Sequence, residues 1–247
     1  MFDDFLTGFA DHFEELRRRI IFSIAAILVA AAVAFAFSDQ ILRLLLLPSG
    51  GLQLKAFNLM DGFMIKWQLA LAAGIVVAFP VWAYHTYAFI NPGLYDNERR
   101  AIFPPLVWAL VLFVIGVLFG YYLLWGMIRV MIQLFPKEVE FFPAAGDYIS
   151  FVLFFLLAAG LAFQLPTMIV ILAQLRLISA ALLRKQRRIA YFALFAFAEI
   201  ITPVADPIVA PLTVMMPLVV LYEISIWLVV RIEAGRKREE IKAAGVN

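Results

Sequence analysis

Carboxylates and guanidinium groups crowd together at two places in this chain. Residues 10–19 read ADHFEELRRR, with Glu14 and Glu15 beside Arg17, Arg18 and Arg19, and an apolar run, IIFSIAAILVAAAVAFAF, begins at once. Residues 89–100 read FINPGLYDNERR, with Glu98 beside Arg99 and Arg100. These groups match in shape, because a planar carboxylate accepts two parallel hydrogen bonds from a guanidinium. Two uses of that chemistry are open. Glu14–Arg18 and Glu15–Arg19 have i,i+4 spacing, and such pairs stabilise a helix by roughly a few tenths of a kcal/mol each. Alternatively, the carboxylates receive arginines belonging to another chain. Other chemistries are excluded by residue type. The chain has no cysteine, so it has no disulfide, thiolate metal site or thiol nucleophile, and its two histidines rule out a histidine-rich metal centre.

The elements that position these charges must be membrane helices. Of 247 residues, 65% are hydrophobic and 15% charged, and the mean hydropathy is +0.95. The formal net charge is only +2, so placement of charge carries the information. A span needs about 20 mostly apolar residues. Uncharged runs of 19, 29, 28 and 28 residues follow Arg19, Lys66, Arg100 and Asp147. Two shorter stretches follow Arg188 and Asp206, interrupted by Glu199 and Glu223. The pattern predicts an all-α integral membrane protein forming one membrane domain over 1–247. Its spans are expected near 20–38, 63–88, 103–133, 148–175, 189–203 and 207–230, the last two short, with a tail over 231–247. Acidic Asp3, Asp4 and Asp11 precede the first run and no A-x-A site closes it, so that run is expected to stay as a membrane helix.

Lys and Arg sort the two sides of the membrane. Fifteen of the 20 basic residues lie in the N-terminal segment, the 2–3 loop, the 4–5 loop and the tail. Both termini are therefore expected in the cytoplasm, and the acidic stretch PKEVEFFPAAGD (136–147) outside. Phe2, Phe5, Phe9, Phe13 and Leu16 recur on one helical face. They predict an amphipathic segment over 1–19 lying along the cytoplasmic interface. Pro80, Pro166, Pro211 and Pro217 fall inside expected spans and are expected to bend them into a kinked, concave bundle. Lys66 is expected to snorkel, His85 to hydrogen-bond at the interface, and Glu223 to make a polar contact between helices.

HFEELRRR, FINPGLYDNERR and TPVADP (202–207) together make the chain similar to the TatC family, the multi-spanning subunits of the twin-arginine protein translocase. The resemblance covers nearly the whole chain and implies six spans with both ends cytoplasmic, in a bacterial or archaeal cytoplasmic membrane. It implies recognition of the paired arginines in signal peptides of folded proteins, with Glu15 and Glu98 as receptors and Leu16, Arg17 and Phe89 at other recognition positions. It implies TatA and, in many systems, TatB as single-span partners, self-association in a receptor complex, and the proton motive force as energy source. No cofactor, metal, nucleic acid or catalytic residue is implied, because no bond is broken. The chain departs from the family in two places. In GLAFQLP (160–166), Gln164 stands where many members have Glu, while Glu199 appears in AFAEIITP (196–203). An intramembrane acid is a functional hypothesis by default, the alternative being that Glu199 lies near enough to the outer surface to be hydrated. The reading is that the acid has moved from the fourth span to the fifth, giving a partner-docking cluster of Gln164, Glu199 and Thr202, with Asp206 in the outer loop beside it. Secondly, a glutamine expected shortly after Asp206 is missing from IVAPLTV (208–214).

Two other classes compete. A small-solute secondary transporter needs a polar site near the midplane, whereas Gln164 and Glu199 lie towards one end of their spans. An intramembrane protease needs a buried Ser/His pair or paired aspartates, and this topology supplies neither.

Overall fold

The structure is a computed structural model. It describes residues 2–90, 103–133, 136, 142–202 and 209–243, with side chains over 13–89, 106–133, 136, 142–202 and 210–238. Among the described residues helices dominate, and the contact of Lys55 with Ala144 is an isolated bridge rather than a strand. Four helical stretches are long and apolar enough to cross a membrane, or five if a bent pair counts as one span. The chain divides into two compact units, residues 1–110 with 136–157, and residues 111–135 with 158–247.

In the first unit, α1 runs unbroken over Phe2–Ala36. No Gly or Pro occurs between Gly8 and Pro48 to interrupt it, and the Glu, Leu and Arg residues of the charged stretch are good helix formers. The expected interfacial segment is thus the first part of the spanning helix, with no boundary at Arg19. After a turn at Phe37 comes α2 (Ser38–Leu46), a short amphipathic helix with Asp39 in its first turn and Arg43 in its last, each favourable to the helix dipole. A single 3₁₀ turn (Leu47–Ser49) then ends at Gly50, whose φ of +63° is the left-handed region that glycine enters freely.

The second expected span forms as two helices, α3 (Asp61–Val77) and α4 (Phe79–Ile90), bent by 53°. Pro80 has no N–H to offer the Val76 carbonyl, so the ladder fails here. The Trp82 indole N–H donates to the Ile75 carbonyl at 3.1 Å and satisfies part of the break from the side-chain direction. Both helices pack on α1, and α3 approaches closely. A Cβ added at Gly74 would lie 2.8 Å from the Ala31 Cβ and the Ile27 carbonyl. Lys66 does not simply snorkel: its ammonium pairs with Asp39 at 3.0 Å and ties α3 to α2. The Tyr148 hydroxyl, at the start of α6 (Ala145–Ala162), donates to the buried Leu45 carbonyl at 2.9 Å. The Lys55 backbone bonds Pro143 and Ala145, with its ammonium 3.5 Å from the Phe142 ring centroid.

The second unit takes in the greater part of α5 (Phe103–Gln133) and the end of α6. A Cβ at Gly116 would sit 2.7 Å from the Ala159 carbonyl, so the two helices touch backbone to backbone there. The fourth expected span breaks at Phe163–Gln164, just before Pro166, and resumes as α7 (Leu165–Gln174). Its end is a Schellman motif: Leu177 N–H bonds Leu172 O, Arg176 N–H bonds Ala173 O, and Arg176 holds φ +59°. Next come α8 (Ala180–Lys185), capped by the Ser179 hydroxyl, and α9 (Arg187–Ile201). The expected short sixth helix is overturned. α10 covers Val209–Ala243, 35 residues, and keeps Pro217 inside it. Charge ends an apolar run but does not end a helix, and Arg, Lys and Glu after Val230 are helix formers. α7, α8 and α9 all pack against α10.

Candidate functional site

The first group of expected site residues lies in the first unit. α1 turns residues 16, 19, 23, 27 and 31 towards its neighbours, at the 3–4 spacing of one helical face, and leaves Glu14, Arg17 and Arg18 exposed. Glu15 lies at the margin of that face, and one of its oxygens, Oε1, accepts from Arg19 Nε at 2.9 Å and from Nη2 at 2.5 Å. Of the two i,i+4 pairs expected from the sequence, this one forms. Arg18 instead lies over the Phe22 ring at 5.8 Å. Phe22 stacks on His85 of α4, with ring centroids 5.8 Å apart and planes within 10°, and Tyr84 meets His85 edge-on. His85 is thus held by ring contacts rather than by the expected hydrogen bond: its Nδ1 is buried and finds no partner among the described residues.

These contacts set the register of the two helices. Gly74 faces Ala31 and His85 faces Phe22, so α3 and α4 run antiparallel to α1. Phe89 lies one turn beyond His85, about 6 Å along the axis. That places it level with the Glu15–Arg19 turn of α1. Phe89 is half-buried, as are Glu15 and Leu16, while Arg17 is exposed. Glu15, Leu16, Arg17 and Phe89 therefore occupy the same end of the same helix pair. Glu98 lies outside the described residues.

The second group lies in the second unit. Gln164 occupies the break before α7, where its carbonyl accepts the Met168 N–H. Glu199 is half-buried in the last turn of α9. Thr202, only 2% exposed, caps α9, and its hydroxyl donates to the Ala198 carbonyl at 2.6 Å. That hydroxyl is committed to its own helix. Asp206 lies outside the described residues. At 15 residues α9 is about 22 Å long, short of a hydrocarbon core of about 30 Å.

Some polar links escaped sequence reasoning. Glu223 bridges α10 to α9, as its position inside a span led us to expect, but its partners were not foreseen. Arg187 Nη2 lies 2.5 Å from one carboxylate oxygen, and the Tyr191 hydroxyl donates to the other at 2.6 Å. Glu233 accepts the Ala180 N–H at 2.9 Å, and Arg236 donates to the Ala173 and Gln174 carbonyls at 3.0 and 2.7 Å. In the sequence Glu233 and Arg236 fell in the expected tail over 231–247. The signal that could have found them is the helix-forming character of that tail beside a loop with carbonyls to cap.

Long apolar helices with paired ionic groups at their ends define an all-helical, polytopic membrane protein. Residues 11–217 match the family model of the Sec-independent protein translocase protein, TatC. Curated TatC proteins from Carboxydothermus hydrogenoformans and Deinococcus radiodurans are 34% and 36% identical to the chain. The alignments cover 88% and 93% of this chain and 90% and 88% of theirs. A crystal structure of the twin-arginine translocase receptor TatC matches with a TM-score of 0.78 at 31% identity, covering 88% of this chain and 99% of that one. The chain belongs to the TatC family. It is a transport subunit of the Sec-independent, twin-arginine protein translocase and works in a complex with other Tat subunits.

Proposed function

We propose that this chain is the signal-peptide receptor of its translocase. In this reading the arginine pair of a folded client's signal peptide docks on Glu15 and Glu98 at the cytoplasmic face, with Leu16, Arg17 and Phe89 shaping the site. The peptide's apolar stretch then lies along the bent helices of a single six-span, concave membrane domain. Both termini face the cytoplasm, and α9 is the short fifth span, around which the bilayer thins or the helix tilts. The observation that carries the reading is that Glu15 and Leu16, both half-buried, lie at the same end of the same helix pair as Phe89. Arginine is favoured over lysine because its rigid fork meets a carboxylate with two bonds. The membrane boundary strengthens the pairing, since ionic contacts gain in lower dielectric.

Gln164, Glu199, Thr202 and Asp206 form the docking region for a TatA- or TatB-type span in the same reading, with Glu199 as its acid. The chain also associates with itself in the receptor complex, and the proton motive force drives export across a bacterial or archaeal cytoplasmic membrane.

The test is crosslinking of a twin-arginine precursor to wild type, Glu15→Ala and Glu98→Ala in membranes. Capture should fall at least tenfold in both variants while each still inserts. Equal capture by all three would return both acids to a structural role and sink the proposal.

A further inference from the structure

We propose that Arg19 is an internal occupant of the arginine site: it holds Oε1 of Glu15 in the empty receptor, and a client arginine must displace it to engage both carboxylate oxygens. This rests on the reading of Glu15 as a client receptor. Glu15 Oε1 takes two hydrogen bonds from one guanidinium, the same group that the client would present. The contact is local, four residues along one helix with the acid N-terminal to the base, so it forms without any partner chain. The two side chains remain 25% and 35% exposed, so an incoming guanidinium has a way to the carboxylate. Neighbouring Arg18 is placed differently, over Phe22, and does not share the acid in this arrangement.

An internal competitor has a defined thermodynamic signature. Its displacement costs every ligand the same amount. It therefore weakens arginine-pair and lysine-pair peptides by one common factor and leaves their ratio alone, because specificity is a difference of affinities. Discrimination stays with the carboxylate geometry. Arg19 sets the threshold: cationic segments that cannot displace it are not retained. The factor is small, about twofold to threefold, as expected for a half-exposed i,i+4 pair. The same weakness makes the occupant releasable.

The experiment titrates a labelled signal peptide bearing an arginine pair, and its lysine-pair counterpart, against membranes containing the complete translocase. Arg19→Gln should tighten both peptides by the same factor, about twofold to threefold. Arg19→Lys, which keeps the topology-setting charge but loses the fork, should give a smaller gain and supplies the reading if Arg19→Gln inserts poorly. Arg18→Gln removes one charge from the same turn without freeing Glu15 and should give no gain. In the Glu15→Gln background the Arg19→Gln gain should vanish. An equal gain from Arg18→Gln would overturn the proposal in favour of general repulsion. A gain for only one of the peptides would overturn it in favour of direct contact with Arg19. Weaker binding in Glu15→Gln with no gain in either Arg19 variant would defeat the occupant and leave the receptor standing. Unchanged binding in Glu15→Gln would defeat the receptor reading itself.

Discussion

At the scale of single residues, the charged groups of this chain divide by what they touch. Lys66 and Asp39 are 43% and 63% exposed, so their pairing contributes less than about 1 kcal/mol. Glu223 is placed differently, with a guanidinium on one oxygen and a phenol on the other, across two helices. Glu223→Leu should destabilise the protein by about 1–2 kcal/mol, and Glu223→Gln by less, because Gln can still accept from Tyr191. Thermal unfolding in detergent would rank them, and equal losses would show that the Tyr191 bond contributes nothing. The sequence exposed Glu15 and Glu223 because an acid at or inside an apolar run stands out. It hid the partners of Glu223, Lys66 and Glu233, since a polar contact 27 to 53 residues away in the chain leaves no periodic trace.

At the scale of elements, runs of apolar residues announced α1, α5 and α10, and prolines announced the breaks in the second and fourth spans. Composition could not locate the ends of α1 and α10, because the flanking charged residues are themselves helix formers. The amphipathic α2 is nine residues long and follows α1 after a single turn residue, too brief for its own hydrophobic period to stand apart. Close approach is likewise decided by packing. Gly116 and Gly126 both sit in α5, but a side chain at Gly116 meets the Ala159 backbone, while nothing lies within 4 Å of one at Gly126. Gly116→Leu should cost about 1–3 kcal/mol or more, and Gly126→Leu about 0.5 kcal/mol or less in either direction. Similar unfolding temperatures for the two variants would refute the close packing of α5 on α6. The α7–α8 loop is secured by Arg236 and Glu233, so Arg236→Gln should speed amide exchange at residues 175–180 and leave α5 unchanged. Unaltered exchange in the loop would mean that Glu233 and the Schellman motif hold it without Arg236.

At the scale of the whole molecule, the absence of native cysteine makes the side of each loop directly measurable. Leu59 is 99% exposed in the loop between α2 and α3, and Gln186 is exposed between α8 and α9. With both termini cytoplasmic, Leu59→Cys should react with an impermeant maleimide in intact cells, and Gln186→Cys only after the membrane is opened. The reverse pattern would invert the topology. Family membership was legible because three motifs survive in order along the chain. Gln164 in the fourth span and Glu199 in the fifth were visible as polar residues in apolar runs, but the sequence carried no sign that Gln164 sits at a helix break and Glu199 in the last turn of α9. The uninterrupted α10 has a mechanical consequence. At 1.5 Å per residue its 35 residues reach about 52 Å, well beyond a hydrocarbon core of about 30 Å. Its C-terminal portion grips the α7–α8 loop through Glu233 and Arg236. A displacement of the protruding end is thus carried to the attached loop, as a lever carries motion to the arm fixed on it.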